Sequence, residues 1–222
     1  MNKQNVTTCS ILVLSVVFSM TVVRQQSVFA QTNKGLELYN AWQFKEAEPV
    51  LREAVKANPG DLEAGYYLGL SVLLQDKHAE ALEILLQVKV SKDQASGVAK
   101  SAVPDEYQIQ LALARARLEL KQNDEAWKNL EAADKAHAGT ADIHVFRGLY
   151  YLNLEKTQNA IKELEKAMNM DENNAYAHYY AGHAYLRSGN PAKAVEMFKS
   201  FLQLAPLAPE AVKAKALVDA LC

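Results

Sequence analysis

The sequence of 222 residues carries 24 lysines and arginines against 26 aspartates and glutamates, a formal net charge of −2 at pH 7. Half of the residues are hydrophobic and 23% are charged with the signs mixed, which is typical of helices that each have one buried and one solvated face. Because no stretch is strongly basic, the composition excludes nucleic acid and anionic membrane surfaces as the main ligands.

The N-terminal segment, residues 1–30, has the organisation of a secretory signal peptide. Lys3 gives a positive start, residues 9–23 form an apolar run, and Val-Phe-Ala at 28–30 suits a signal peptidase. We therefore expect an exported protein, periplasmic or extracellular, that is cleaved after Ala30. The alternative is an uncleaved membrane anchor over residues 9–23, although this run is shorter than the roughly 20 residues that span a bilayer.

Residues 177–206 predict two helices joined by a tight turn. Apolar residues recur at helical spacing over 177–187, and Gly189 suits the left-handed position just past a helix end. Asn190 can cap a second helix, and Pro191 fits the first turn of that helix. Because two short helices cannot bury both of their apolar faces alone, this hairpin needs copies of itself.

Four further copies of the hairpin precede it in register. An alanine marks the second helix of each copy, and one constant step separates all of these markers except the second and third, which lie farther apart: Ala47, Ala81, Ala126, Ala160 and Ala194. Twelve residues before each marker stands a small residue: Gly35, Gly69, Ala114, Gly148 and Gly182. Four residues after each marker stands a large apolar residue: Leu51, Leu85, Leu130, Leu164 and Phe198. Several positions keep phase over five copies, which is specific evidence for a repeat.

This pattern resembles the tetratricopeptide repeat, whose period of about 34 residues equals the constant step and whose small positions let two helices approach closely. The resemblance covers nearly all of the chain beyond residue 30. It implies an all-α fold over residues 31–222, a right-handed α-solenoid of about five helix-turn-helix repeats plus a C-terminal capping helix. The packing tyrosine of the family is present as Tyr151 and Tyr185, whereas the third copy has Arg117 there and departs most from the pattern.

Two segments lie outside the regular repeats. The longer step between the second and third markers contains an insertion within Val90–Pro104, and the polar composition of this segment predicts a surface loop between the second and third copies. Residues 209–222 predict a final helix that covers the open end of the stack. The apolar residues of this predicted helix are Val212, Ala216, Leu217 and Leu221.

No motif for catalysis or cofactor binding accompanies the repeats. The sequence lacks a glycine-rich phosphate loop, paired cysteines and a His-Glu-x-x-His motif, and the repeats leave no room for a catalytic domain. We therefore expect neither an enzyme nor a bound cofactor. His144 and His178 are one repeat period apart and share a repeat position on adjacent first helices. They could hold one metal ion, but repeat duplication explains the same spacing and favours a structural role.

The first helices of the repeats are expected to form the inner surface of the stack, where a partner would bind. Tyrosine recurs at its inward-facing positions and combines apolar area with a polar tip, as protein interfaces require. For each residue the alternative is packing between neighbouring first helices. The residues expected to contact a partner are Tyr66, Tyr67, Leu70, Phe146, Leu149, Tyr176, Tyr179, Tyr180, His183 and Arg187.

The third copy contributes Leu111, Ala112 and Arg115 to the same inner surface. Some members of the family hold the C-terminal carboxylate of acidic chaperone tails with Lys and Asn at set positions of the first helices. The matching positions hold other residues here, so that clamp is absent: Thr32, Leu36, Tyr67, Gln108 and Ala112. We therefore expect a protein or peptide partner with apolar or aromatic segments, and neither nucleic acid nor a small-molecule substrate.

These observations favour an interaction adaptor or scaffold that holds a polypeptide segment in its concave groove, within an envelope or secretion assembly. One alternative is a structural protein that self-associates through the C-terminal helix and depends on Leu217 and Leu221. A second alternative is a metal-binding protein that uses His144 and His178.

Overall fold

The computed structural model describes residues 29–94 and 104–221. Nearly all of the predicted signal peptide, the alternative anchor at 9–23 and part of the predicted loop at 95–103 lie outside the described residues. The described residues form helices joined by short turns, in chain order α1 (29–40), α2 (Phe44–Ala57), α3 (Leu62–Leu73), α4 (His78–Gln94), α5 (Glu106–Glu119), α6 (Asn123–Ala136), α7 (Ala141–Asn153), α8 (Thr157–Met170), α9 (Ala175–Arg187), α10 (Pro191–Leu204) and α11 (Ala211–Leu221).

The helices stack as hairpins, which confirms the predicted all-α solenoid. From α3 to α9, each odd-numbered helix packs against the even-numbered helix that follows it, and each even-numbered helix packs against the odd-numbered helix after it. Gly35 of α1 likewise faces Leu51 of α2. Among the odd-numbered helices, α3 contacts α5, α5 contacts α7 and α7 contacts α9. The odd-numbered helices up to α9 therefore form the inner layer, the even-numbered helices form the outer layer, and α11 packs against α10 at the end of the stack.

Short polar side chains fix the beginnings of helices in both layers. The Asp61 carboxylate accepts a hydrogen bond from the backbone N–H of Ala64 at the start of α3. Its second oxygen accepts a hydrogen bond of 2.8 Å from the Thr32 hydroxyl, which ties α1 to α3. At α10, Asn190 caps the helix and Pro191 is its first residue, as the sequence predicted.

The two helices of a hairpin touch at the small residue of each copy. A Cβ atom added to Gly182 would lie 2.6 Å from the buried Phe198 ring, and one added to Gly148 would lie 2.5 Å from Leu164. Such distances are shorter than van der Waals contact. The prediction that Gly182 faces its own hairpin partner is confirmed, and any larger residue there would push the helices apart.

One backbone feature of the turns was missed in the sequence. The residue five positions before each marker alanine has a left-handed conformation in all five hairpins, with φ values between 59° and 77°. Only the last of these residues is glycine, which is why the pattern was recognised in one copy alone: Trp42, Asp76, Lys121, Glu155 and Gly189. The turn geometry is therefore imposed by hairpin packing rather than by residue choice.

The prediction of a loop over Val90–Pro104 is wrong for the first residues of that segment. Residues 90–94 continue α4, which is 17 residues long whereas the other outer helices have 14. Lys89 forms an ion pair with Asp93 one turn later, at 2.6 Å, and so supports the additional helical turn.

The predicted final helix is present as α11, but its buried face differs from the prediction. Val212 is 80% exposed and Leu221 is 37% exposed, whereas Leu217 is half-buried. The residues that cover the end of the stack are instead Ala211, Ala214 and Val218. The helix begins two residues later than the predicted segment, and two of its three buried residues are alanines.

Two hydrophobic clusters fill the interior and meet on α5. The first is centred on α2, α3 and α4, and the second extends from α5 to α11. On α5, Ile109 and Leu113 belong to the first cluster, whereas Ala114 and Leu118 belong to the second. In the described part of the chain, every helix is too short or too polar to cross a bilayer.

We predict that Gly189→Ala lowers the free energy of unfolding by about 1 kcal/mol, because a Cβ is strained at a φ of 77°. No heavy atom lies near that added Cβ, so the effect is conformational and not a clash. The matched control is Glu155→Gly, which removes a Cβ from the same conformation and is expected to be neutral or stabilising by up to about 1 kcal/mol. Urea denaturation measures both; a large loss in Glu155→Gly would contradict the shared turn geometry.

Candidate binding groove

The inner layer encloses a groove with two cavities. The larger has a volume of about 280 Å³ and lies between the end of α3, the inner helices α5, α7 and α9, and the connection from α10 to α11. The smaller has a volume of about 250 Å³ and lies between α1, α3, α5, α7 and the start of α9. We call the surface that contains both cavities the inner groove.

Arg115 lines both cavities and forms the boundary between them. Its guanidinium carbon lies 4.4 Å from the centre of the Tyr176 ring, a cation–π geometry. One of its Nη atoms donates a hydrogen bond of 3.4 Å to Glu210, and the Tyr176 hydroxyl donates one of 3.2 Å to the other oxygen of the same carboxylate. Glu210 lies in the α10–α11 connection, so the end of the chain reaches the third hairpin here.

Neutral polar groups and charged side chains of both signs surround the larger cavity. The Tyr180 hydroxyl donates a hydrogen bond of 3.1 Å to Glu119, and an Nη atom of Arg187 donates one of 2.6 Å to the backbone oxygen of Leu152. At the rim, Lys213 of α11 lies 3.4 Å from Asp76 in the turn after α3. The groove is therefore less uniformly apolar than the sequence suggested.

The aromatic wall of the larger cavity is uncharged at neutral pH. Burial raises the pKa of the phenols of Tyr179 and Tyr180, so both keep their protons. Burial, and then the charge of Arg187, lowers the pKa of His183 to about 4. The neutral His183 ring stacks edge-on against Tyr179 at a centroid distance of 4.7 Å. This wall can accept apolar groups while its hydroxyls still donate hydrogen bonds.

The structure brings nine of the ten predicted contact residues to the walls of these cavities. At the larger cavity are Leu149, Tyr179, Tyr180, His183 and Arg187, and at the smaller cavity are Tyr66, Leu70, Phe146 and Tyr176. Tyr67 lines neither cavity. It packs against Tyr39 of α1 at a centroid distance of 5.0 Å and is half-buried.

The tyrosines of the groove are not equivalent. Tyr180 is only 5% exposed and its hydroxyl is hydrogen-bonded, so truncating this side chain would open the core. Tyr176 and Tyr179 are half-buried and present part of each ring to the cavities. Tyr185, expected to be a packing residue, is 7% exposed and donates a hydrogen bond of 2.7 Å to Glu165.

Sequence reasoning missed the acidic residues of the groove. Glu119 and Glu210 were not among the expected contacts, and nor was Lys213. The repeat pattern places Arg115 on the inner surface but indicates no function for it. No local signal marks Glu210, because its contact with Arg115 joins residues 95 positions apart and depends on the curvature of the whole stack.

The two histidines that share a repeat position each bond within their own hairpin or turn. His144 Nδ1 lies 2.7 Å from a Glu163 carboxylate oxygen, and His178 Nε2 lies 2.9 Å from the backbone oxygen of Glu172. Within residues 29–94 and 104–221, no group of three His, Cys, Asp or Glu side chains is placed to hold a metal ion. Both histidines therefore have structural contacts that account for their positions.

Two stretches of the sequence match family models described as tetratricopeptide repeat, residues 32–97 and residues 151–218, which together cover more than half of the chain. The chain is a tetratricopeptide-repeat protein. Both matching models describe a repeat, and neither describes a catalytic domain. Tetratricopeptide-repeat proteins are generally non-enzymatic modules for protein interaction. No curated protein sequence matches this tetratricopeptide-repeat protein.

Solved structures support the fold of this tetratricopeptide-repeat protein. It is similar to TTC0263, a thermophilic tetratricopeptide-repeat protein of Thermus thermophilus, with 20% identity and a TM-score of 0.67 over 87% of this chain and 98% of that one. It is also similar to a fragment of MamA from Desulfovibrio magneticus, with 20% identity and a TM-score of 0.54 over 81% of this chain and 95% of that one. At this identity the similarity concerns the fold alone.

Proposed function

We propose that this tetratricopeptide-repeat protein is an exported adaptor that binds a polypeptide segment of a partner protein in its inner groove. The observation that carries the proposal is the pair of cavities on either side of Arg115, walled by the half-buried rings of Tyr176 and Tyr179. Rings that are partly exposed in a concave surface can bury further area against a ligand at little cost in conformational entropy.

An extended peptide can use both cavities of the groove. In an extended chain, alternate side chains point to the same side about 6.6 Å apart, so neighbouring side chains on one side can enter separate cavities. Phenol, amide and carboxylate groups around the cavities can bond the peptide backbone between them.

Self-association is a second candidate because α11 and the connection before it leave large apolar side chains exposed. Leu207 is 67% exposed and Val212 is 80% exposed, next to the end of the stack. Leu217 and Leu221, which the sequence suggested for this contact, are less exposed than Val212. A self-associating protein would form oligomers that depend on protein concentration and that dissociate in Val212→Ser, whereas a monomeric adaptor would sediment as one species at all concentrations.

Export predicts a mature protein that begins at Gln31, because Val-Phe-Ala at 28–30 is the expected cleavage site. N-terminal sequencing of the protein recovered from its native envelope or medium tests this, and the position of cleavage should move or disappear in Ala30→Arg. An intact Met1 on membrane-bound protein would show that residues 9–23 act as an anchor, and an intact Met1 on soluble intracellular protein would exclude export.

Photo-crosslinking from the groove tests the adaptor function. A photoreactive amino acid at position 179 should capture a partner, whereas the same residue at the exposed outer position 162 should not. Against the captured partner, Tyr179→Ala should weaken binding by about 1–3 kcal/mol, while the melting temperature falls little. The control is Tyr185→Ala, which should lower the melting temperature first because that ring is buried. Equal capture from positions 179 and 162, or unchanged affinity in Tyr179→Ala, would place binding outside the groove.

A further inference from the structure

The Arg115 guanidinium is held in the groove with an incomplete set of partners. Only 14% of its side-chain surface is exposed. Its hydrogen bond to Glu210 is long, at 3.4 Å, and its Nε has no hydrogen-bond partner among the described residues. A guanidinium offers five N–H donors and binds a carboxylate best through two parallel short bonds. Glu210 therefore leaves donor capacity unused at a buried charge, where it is costly.

We propose that Arg115 anchors an acidic side chain of the bound segment and that Glu210 occupies this site in the free protein until the segment displaces it. This inference rests on the proposed function and names the partner chemistry: an Asp or Glu flanked by apolar residues. Displacement requires only rotation of the Glu210 side chain toward solvent, because the backbone that carries it is anchored by Ala208, Ala211 and Ala214.

The charges around the larger cavity favour such a segment. Four basic side chains line this cavity: Arg115, Lys121, Arg187 and Lys213. They face the acidic side chains of Asp76, Glu119 and Glu210. When Glu210 turns outward, the cavity has an excess of positive charge that a carboxylate of the ligand neutralises.

The cavities explain why the acid is expected between apolar neighbours. Arg115 lies at the boundary, so an extended segment whose acid reaches it places the side chains two residues before and two residues after the acid over the two cavities. On the larger side the neutral rings of Tyr179 and His183 form the wall, and on the smaller side Leu70 and Phe146 do so. A wholly charged segment would leave these surfaces unmatched.

A peptide with the chain's own sequence over 205–214 carries a Glu between apolar residues and is a suitable probe. The fluorescein-labelled peptide should bind the wild-type protein weakly, because Glu210 of the protein competes with the Glu of the peptide. It should bind the Glu210→Gln variant about tenfold more tightly. The same peptide with Gln in place of its Glu should show no gain. Glu196→Gln, an exposed acid on α10, is the matched control and should bind as the wild type does.

Two further variants test the role of the guanidinium. Arg115→Lys keeps the charge but loses the planar fork, so Glu210→Gln in that background should show no gain in affinity. Tyr176→Phe removes only the hydroxyl that holds Glu210 and keeps the ring, so it should also bind the acidic peptide more tightly than the wild type. The inference is overturned if the acidic peptide binds neither protein, if both peptides bind Glu210→Gln equally, or if the gain persists in Arg115→Lys.

The outcome separates this inference from the proposed function. If position 179 captures a partner but the acidic peptide shows no preference for Glu210→Gln, the groove binds its partner without an acidic anchor. Because the probe is a segment of this chain, sedimentation of wild-type and Glu210→Gln protein is measured beside it. Both should be monomers; a dimer that requires Glu210 would assign the anchor site to a second copy of the chain and overturn the inference of a foreign acidic segment.

Discussion

The close contact between a small residue and a large apolar residue inside each hairpin is the constraint on which the stack depends. At Gly148 and Gly182 even one added carbon atom would collide with Leu164 or Phe198. Because the paired helices approach this closely, their remaining apolar faces point toward the neighbouring hairpins, and each hairpin buries the next. The third hairpin has Ala114 at this position and still packs in the same core, so the limit on size is set in each hairpin by its own facing residue.

The same packing determines what lies in the groove. Regular stacking of five hairpins bends the inner layer so far that Glu210 reaches Arg115, although 95 positions separate them in the sequence. The inner surface therefore combines two kinds of chemistry: neutral aromatic rings on the cavity walls and a buried ion pair at the boundary between the cavities. The aromatic rings supply apolar area for binding. The charge of Arg115 selects the side chain of the ligand that enters, because leaving a buried guanidinium unpaired is costly.

The sequence predicted the features that repeat and missed those that arise once. The constant repeat period specified the hairpins, the position of Gly182 and the cap at Asn190, because each is a local requirement of helix packing. The turn conformation was recognised only at Gly189, since the other copies hold residues that rarely adopt it. The buried face of α11 and the contact of Glu210 were not predictable from spacing, because both depend on how the last helix meets the curved stack.

The groove depends on a stack that curves until its last helix meets the turn after α3. Lys213 Nζ lies 3.4 Å from an Asp76 carboxylate oxygen, close enough for a zero-length carbodiimide crosslink. Mass spectrometry of the monomeric, crosslinked protein should find an amide between Lys213 and Asp76 that is absent in Lys213→Arg, while the exposed Lys215 should not join Asp76. Crosslinks of Lys213 only to acids near it in sequence would show an open stack and would contradict this account of the groove.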